Sequence, residues 1–263
     1  MNTVKVRLLI GLMTFLPASC MLFADETCSK PYTLWTEEDV DYILNRSPWS
    51  QVMTLSAIVR DVTAGTGGDR AGRNPRTIID APRGYGISKS SGVSGEKELY
   101  YKYTVRLFSA LPVRQAYVRM LQIANHYSEL PPSRRLALDA RTAPALTLDV
   151  SRDIIVSIEF DSNDRQMALE VDRQLRVAQS EQLKQQVYLI SEHFNRLELK
   201  DYIRPDPDGT GAKFIFPRTI DGEPIVGKDD RELAFEFYVP GVGHKVYVIW
   251  KVQELECYGS RWF

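Results

Sequence analysis

The feature that most constrains the fold is a strict alternation of side-chain types between residues 99 and 107. The odd positions carry Leu99, Tyr101, Tyr103, Val105 and Leu107, and the even positions carry Tyr100, Lys102, Thr104 and Arg106. Successive side chains of a β-strand point to opposite faces of its sheet, so this pattern predicts a half-buried strand over 98–108. A similar alternation over 51–62 predicts a second such strand, and both are typical of antiparallel sheets.

Six further segments have strand patterns, over 153–160, 187–190, 197–203, 213–216, 232–239 and 245–255. In the last of them the apolar positions change from even to odd between Val252 and Leu255, which indicates a β-bulge near Gln253 and Glu254. Residues 205–211 and 240–243 have the composition of turns between strands.

Helical signals lie between these strands. Thr36 can cap a helix, with Asp39 in a weaker version of the capping box, and Ser47-Pro48 ends that helix. Apolar stripes predict a helix over 112–127 and another after 162–164, and 133–140 can form a short one. About eight strands and two or three helices predict an α+β fold of mainly antiparallel sheets, which can pack as a sandwich.

The first 24 residues have the pattern of an export signal. Lys5 and Arg7 precede an uncharged stretch of about 16 residues, shorter than the roughly 20 that span a bilayer. Cleavage after Ala24 would leave 25–263 as one domain in the periplasm or outside the cell, with no transmembrane span. The run from Leu16 to Cys20 also resembles a lipobox, so a lipoprotein anchored at Cys20 is the alternative.

Two cysteines would remain after cleavage, Cys28 and Cys257, near opposite ends of the chain. An oxidising compartment favours a disulfide between them, and two unrelated buried thiols are the alternative. The formal charge changes from −1 to −3 when the signal is removed. A near-neutral chain lacks the positive field that binding to nucleic acid needs.

Residues 63–97 are rich in Gly, Ser, Arg and Pro and have no apolar periodicity, so we expect a flexible loop. Gly67 to Arg73 resembles a phosphate-binding loop, but Arg73-Asn74-Pro75 stands where such a loop needs Lys and then Ser or Thr. The segment 63–95 has a net charge of +3 and could contact an acidic partner. Its basic residues are Arg70, Arg73, Arg76, Arg83 and Lys89.

No known metal or cofactor motif is present in the sequence. His126, His193 and His244 do not have metal-ligand spacing, and the acidic turn at 206–209 does not follow the calcium-loop pattern. We therefore expect neither a metal nor a cofactor.

Catalytic patterns are equally sparse, since there is no Gly-x-Ser-x-Gly elbow. A hydrolase with a spatially assembled site is the alternative to a binding protein, so enzymatic activity stays an open question at this point. The titratable residues that could converge in such a site are His126, His193, Glu192, Asp201 and Glu236, with Asp229 and Asp230 as further carboxylates.

Three tyrosines occupy the strand phase opposite to the main apolar set: Tyr100, Tyr238 and Tyr247. Exposed aromatic side chains on a sheet can bind a protein or a carbohydrate, so we predict a ligand or partner face at these positions. The alternative is that both faces of each sheet are covered.

Three short blocks resemble a family of uncharacterised exported bacterial proteins, in which a short helix ending in Ser-Pro-Trp follows the signal segment. The blocks are Trp35 to Val40 with Ile43-Leu44 and Ser47-Pro48-Trp49, then Val105 to Ser109 with Arg114 and Ala116, and Phe214 to Arg218. The resemblance implies export and one architecture, and the family has no assigned activity. The leading prediction is an exported, non-enzymatic binding or structural protein.

The mature N-terminus distinguishes the two interpretations of the signal. We expect the exported protein to begin at Asp25 and to have the intact mass of an unmodified chain with one disulfide. A chain that begins at Cys20 and carries the additional mass of acyl groups would show instead that the protein is lipid-anchored.

Overall fold

The computed structural model describes residues 27–60, 96–206, 209–227, 229–257 and 260–261. The predicted signal segment, Cys20 and the five basic loop residues Arg70, Arg73, Arg76, Arg83 and Lys89 lie outside these ranges. Predictions about them therefore stay predictions.

Strands and helices occur in separate runs along the chain, as is typical of an α+β fold. The strands are β1 (Ser50–Arg60), β2 (Glu96–Leu107), β3 (Asp153–Ser162), β4 (Val187–Ile190), β5 (Leu197–Glu198), β6 (Asp201–Ile203), β7 (Ala212–Pro217), β8 (Thr219–Ile220), β9 (Glu223–Pro224), β10 (Glu232–Tyr238), β11 (Lys245–Lys251), β12 (Glu256–Cys257) and β13 (Ser260–Arg261). The helices are α1 (Glu37–Asn45), α2 (Leu111–Ala124), α3 (Pro132–Thr147), α4 (Arg165–Val177) and α5 (Ser180–Leu183).

Two antiparallel sheets form the body of the protein. The larger sheet has the strand order β1-β2-β3-β7-β6, and the smaller has the order β11-β10-β4-β5. All the pairings in both sheets are antiparallel. The predicted fold class is therefore confirmed, and β8 with β9 and β12 with β13 add two small ribbons.

Aromatic side chains join the inner faces of the two sheets. The ring centroid of Phe214 on β7 lies 5.4 Å from that of Phe235 and 4.9 Å from that of Phe237, both on β10. All three side chains are fully buried. The odd positions of β2 and the even positions of β3 and β7 supply the rest of this face, as the alternating patterns predict.

Helix α2 covers the outer face of the larger sheet near the ends of β2 and β3. Tyr117 of α2 is within hydrogen-bonding distance of Arg106 on β2 and of Glu159 on β3. Arg106 and Thr104 are consequently buried. The outer side chains of β2 are therefore accessible to solvent only at the start of the strand. At Thr104 and Arg106 both faces of the strand are covered.

The local signals for helix ends are mostly confirmed. Thr36 and Asp39 form a full capping box, in which the Thr36 hydroxyl accepts from the Asp39 backbone N–H and Asp39 accepts from the Thr36 backbone N–H. Asp164 caps α4 with its side chain, which accepts from the backbone N–H groups of Gln166 and Met167. Helix α3 is longer than the predicted short helix, because it continues through Pro144 to Thr147.

Three strand predictions were wrong in detail. The segment 197–203 does not form one strand, because β5 belongs to the smaller sheet and β6 to the larger. The predicted bulge near Gln253 is a 3₁₀ turn over Val252–Glu254, which changes the direction of the chain between β11 and β12. Strand β2 also begins at Glu96, inside the segment that was predicted to be a loop.

A disulfide connects the two ends of the described chain. The predicted Cys28–Cys257 pair is present, with a Cα–Cα distance of 5.2 Å and a sequence separation of 229. Trp35 and Trp49 flank α1 in the sequence, and both are fully buried. The Trp250 indole N–H donates to the Trp49 carbonyl. No helix in the described part of the chain is long and apolar enough to cross a membrane.

Removal of this disulfide should destabilise the protein strongly. A cross-link across 229 residues restricts the unfolded chain, and the chain-entropy model gives about 5 kcal/mol for a loop of this length. We expect the Cys28→Ser/Cys257→Ser protein to lose several kcal/mol in urea unfolding relative to the oxidised protein. A loss below about 1 kcal/mol would show that the unfolded chain is not restricted in this way.

Candidate functional site

The open outer face of the smaller sheet presents two of the predicted tyrosines. Tyr238 on β10 lies opposite Lys245 on β11, and Tyr247 lies two residues further along the same side of β11. The exposed fractions are 40% for Tyr238, 43% for Tyr247 and 38% for Ile249. We call Tyr188, Tyr238, Lys245, Tyr247 and Ile249 the tyrosine face.

A buried carboxylate organises the charges on this face. Glu236 is paired across the sheet with Tyr247 on one side and Tyr188 on the other. Its carboxylate oxygens lie 2.7 Å from Lys245 Nζ and 3.3 Å from Arg196 Nη2. The hydrogen bond from Lys245 to Glu236 is the main reason why the pKa of Lys245 is raised, so the ammonium stays charged.

The same cations pack on the tyrosine rings. Lys245 Nζ lies 5.1 Å from the ring centroid of Tyr238 and 5.7 Å from that of Tyr247, and the Arg196 guanidinium lies 4.7 Å from that of Tyr188. These distances are within the range of cation–π attraction. The cations therefore contact the rings in the absence of a partner.

Tyr100 does not belong to this site. It lies on β2 in the other sheet, and its hydroxyl donates a long hydrogen bond of 3.4 Å to Asp161. The structure thus brings together Tyr238 and Tyr247, adds Tyr188, and leaves Tyr100 on a separate surface.

The structure brings only part of the residues considered for a hydrolase together. His193 Nε2 lies 2.8 Å from Asp230, and the adjacent Glu192 accepts from Arg231. Asp201 accepts from the Ser180 hydroxyl, and Glu236 pairs with Lys245 and Arg196. His126 has the left-handed backbone conformation in the turn after α2. Glu192, His193 and Asp230 are therefore neighbours, whereas Asp201, Glu236 and His126 have other contacts.

His193 and Asp230 are the nearest approach to a catalytic dyad. Asp230 is buried, and its second oxygen accepts the Gly227 backbone N–H at 2.9 Å. The nearby Ser191 hydroxyl accepts from the backbone N–H groups of His193 and Phe194, so it serves the turn. The pair fixes the loop before β10 to the end of β4.

One polar cluster was missed by the sequence analysis. Arg106 Nη1 lies 2.8 Å from Glu159 Oε2 and donates to the Tyr117 hydroxyl, while its Nε donates to the Leu44 carbonyl. The cluster connects α1 and α2 to the larger sheet. Its only sequence signal was a charged residue at an even position of β2, where exposure was expected.

Neither metal binding nor a family relationship is indicated. In the ranges that the structure describes, no group of three or more His, Cys, Asp or Glu side chains is placed to hold a metal ion. The chain matches no protein-family model, no curated protein and no solved structure with which it was compared. The resemblance to exported bacterial proteins therefore stays a prediction.

His244 connects the smaller sheet to the larger one. Its Nδ1 lies 2.6 Å from the Tyr103 hydroxyl, and its ring centroid lies 4.9 Å from that of Tyr101. Burial lowers the pKa of His244, because the charged imidazolium would lose hydration in this half-buried position.

Acidification should therefore weaken the fold through His244. In the unfolded chain the imidazole gains a proton as the pH falls through about 6.5, whereas in the folded chain it does so only at lower pH. We expect the free energy of unfolding to decrease between about pH 7.5 and pH 5.5. Urea unfolding of the protein and of His244→Gln at both pH values measures this, and an equal decrease in the two would exclude His244 as the cause.

Proposed function

We propose that the protein is an exported, non-enzymatic binding protein whose tyrosine face docks a protein partner. The observation that carries this proposal is the exposure of Tyr238 and Tyr247 beside Lys245 on the outer face of the smaller sheet. Tyrosine offers a large contact area with few rotatable bonds, and such residues contribute much of the binding free energy at protein interfaces.

The shape and charge of the face favour a protein over a small molecule. Small ligands bind in concave sites, and two cavities in the described part of the chain, of about 410 and 510 Å³, are lined by residues outside the tyrosine face. Lys245 and Arg196 are exposed cations beside the rings, whereas the Glu236 carboxylate that pairs with both is buried. Exposed charge of one sign favours a partner with the complementary, acidic charge.

The export part of the proposal is supported by the disulfide. The bond between Cys28 and Cys257 is intramolecular and both cysteines are buried. Structural disulfides persist in the periplasm and outside the cell and are rare in the reducing cytoplasm. The scattered positions of His126, His193 and Asp201 are why we favour binding over hydrolysis.

A site-specific cross-linker tests the proposed partner face. A photoreactive amino acid at position 247 of the exported protein should form a protein adduct in the cells that make it. The same amino acid at position 173, on the exposed side of α4, serves as the control. We expect Tyr238→Ala to weaken binding, and with it the yield of the adduct, by up to about thirtyfold, because a central tyrosine typically contributes about 2 kcal/mol.

The Tyr100→Ala variant provides the matched control, because it removes a tyrosine from the outer face of the other sheet. It should leave the adduct unchanged. Equal labelling from positions 247 and 173 would overturn the proposal. Binding of a neutral glycan that is lost in Tyr238→Ala/Tyr247→Ala, without a protein adduct, would identify the face as a carbohydrate site instead.

A further inference from the structure

A cavity of about 510 Å³ lies beside the C-terminal end of α2. None of the residues that line it belongs to the tyrosine face. The 3₁₀ turn Tyr32–Leu34, the last two turns of α2, the turn at His126 and the first turn of α3 surround it. The polar lining residues are Thr33, Arg119, Gln122, His126, Tyr127, Ser128 and Arg135, and Ile123 forms an apolar wall.

The lining of this cavity contains two guanidinium groups and no carboxylate. Elsewhere in the described ranges, arginines are commonly paired with acids, as in Arg46–Asp41, Arg106–Glu159, Arg173–Glu170, Arg176–Asp172, Arg196–Glu236 and Arg231–Glu192. Arg119 and Arg135 have no such partner among the described residues. The nearest acid on α3, Asp139, accepts the Tyr127 hydroxyl instead.

Backbone carbonyls and a ring hold the two arginines in place. Arg119 Nε donates to the Trp35 carbonyl at 2.7 Å, and Arg119 Nη1 contacts Gln122 at 3.4 Å. Arg135 Nη2 donates to the Ser128 carbonyl at 2.6 Å, and its guanidinium lies 5.8 Å from the ring centroid of Tyr127. These contacts position the charges without neutralising them.

One donor in this group is unsatisfied. Arg135 Nε is buried and has no hydrogen-bond partner in the described part of the chain. A buried donor of a charged group costs free energy when it is left unpaired. This nitrogen is not accessible from the cavity, so an anion there would accept from the terminal Nη groups of the two arginines. The planar fork of a guanidinium matches a carboxylate or a phosphate group.

The other large cavity provides an internal comparison. It has a volume of about 410 Å³ and contains Glu159, Asp172 and Asp206 with one arginine, Arg176. Arg176 Nε already contacts both carboxylate oxygens of Asp172. Two cavities of similar size thus have opposite charge, so the cationic lining is not a general property of the surface depressions.

We propose that the cavity between α2 and α3 binds a small organic anion, whose carboxylate or phosphate group is held by Arg119 and Arg135. Gln122, Thr33 and Ser128 add polar groups that can orient the rest of the ligand. The volume suits a compact molecule rather than a polymer chain. This site is independent of the tyrosine face and of the function proposed for it.

Isothermal titration with citrate and with pyrophosphate, at constant ionic strength, tests the proposal. We expect saturable 1:1 binding of at least one of the two, and the choice between them identifies the preferred group. Arg135→Gln should weaken that binding about tenfold or more, since a hydrogen bond between charged groups is lost. Arg134→Gln is the matched control, because Arg134 is the exposed neighbour on the same helix and lies outside the cavity lining.

The control decides between a site and general charge attraction. Saturable binding that is weakened by Arg135→Gln and unchanged by Arg134→Gln supports the proposal. Equal weakening by both variants, or no saturable binding of either anion, overturns it. If Arg135→Gln does not fold, Arg135→Lys keeps the charge but loses the planar fork, and the same comparison with Arg134→Lys applies. Tyr238→Ala/Tyr247→Ala should leave anion binding unchanged.

Discussion

The packing of two antiparallel sheets face to face is the constraint on which the rest of the structure depends. Phe214 of the larger sheet meets Phe235 and Phe237 of the smaller one, and every strand that contributes to this core does so with alternate residues. The remaining residues of each strand must then face either helices or solvent. The two sheets differ in this respect, and that difference determines where a partner can bind.

On the larger sheet, helices α1 and α2 cover the end of the outer face, and a polar cluster joins them to it. Arg106 reaches the Leu44 carbonyl, Tyr117 and Glu159, so one guanidinium connects two helices and two strands. The Arg106 side chain is buried, whereas the Glu159 side chain is 33% exposed. Loss of Glu159 would leave a buried guanidinium without its ion pair, which is costly. The cluster therefore links the positions of both helices to the sheet.

Patterns that depend on near neighbours were predicted from the sequence, and choices that depend on distant segments were not. The alternation in β2, the cap at Thr36 and the stripe of α4 each follow from local geometry. The division of 197–203 between two sheets depends on which strands lie beside β5 and β6, which no local pattern contains. Arg106 likewise looked exposed, because two of the groups that bury it, the Leu44 carbonyl and Glu159, lie on elements far from β2 in the chain. In the candidate site, the alternating pattern predicted that Tyr238 and Tyr247 face outward. The pattern could not show that Tyr100 lies on the other sheet, because that depends on which strands pair.

The smaller sheet shows how a core can produce a rigid binding surface. Strand β10 has Phe235 and Phe237 on its inner side and Glu236 and Tyr238 on its outer side, and β11 has Val248 and Trp250 inside with Tyr247 and Ile249 outside. Because the inner residues are fully or almost fully buried, the backbone that carries the tyrosines cannot shift without disturbing the core. The outer side chains contribute little to that core, so they can vary to suit a partner. The inner side chains maintain the backbone geometry of the sheet.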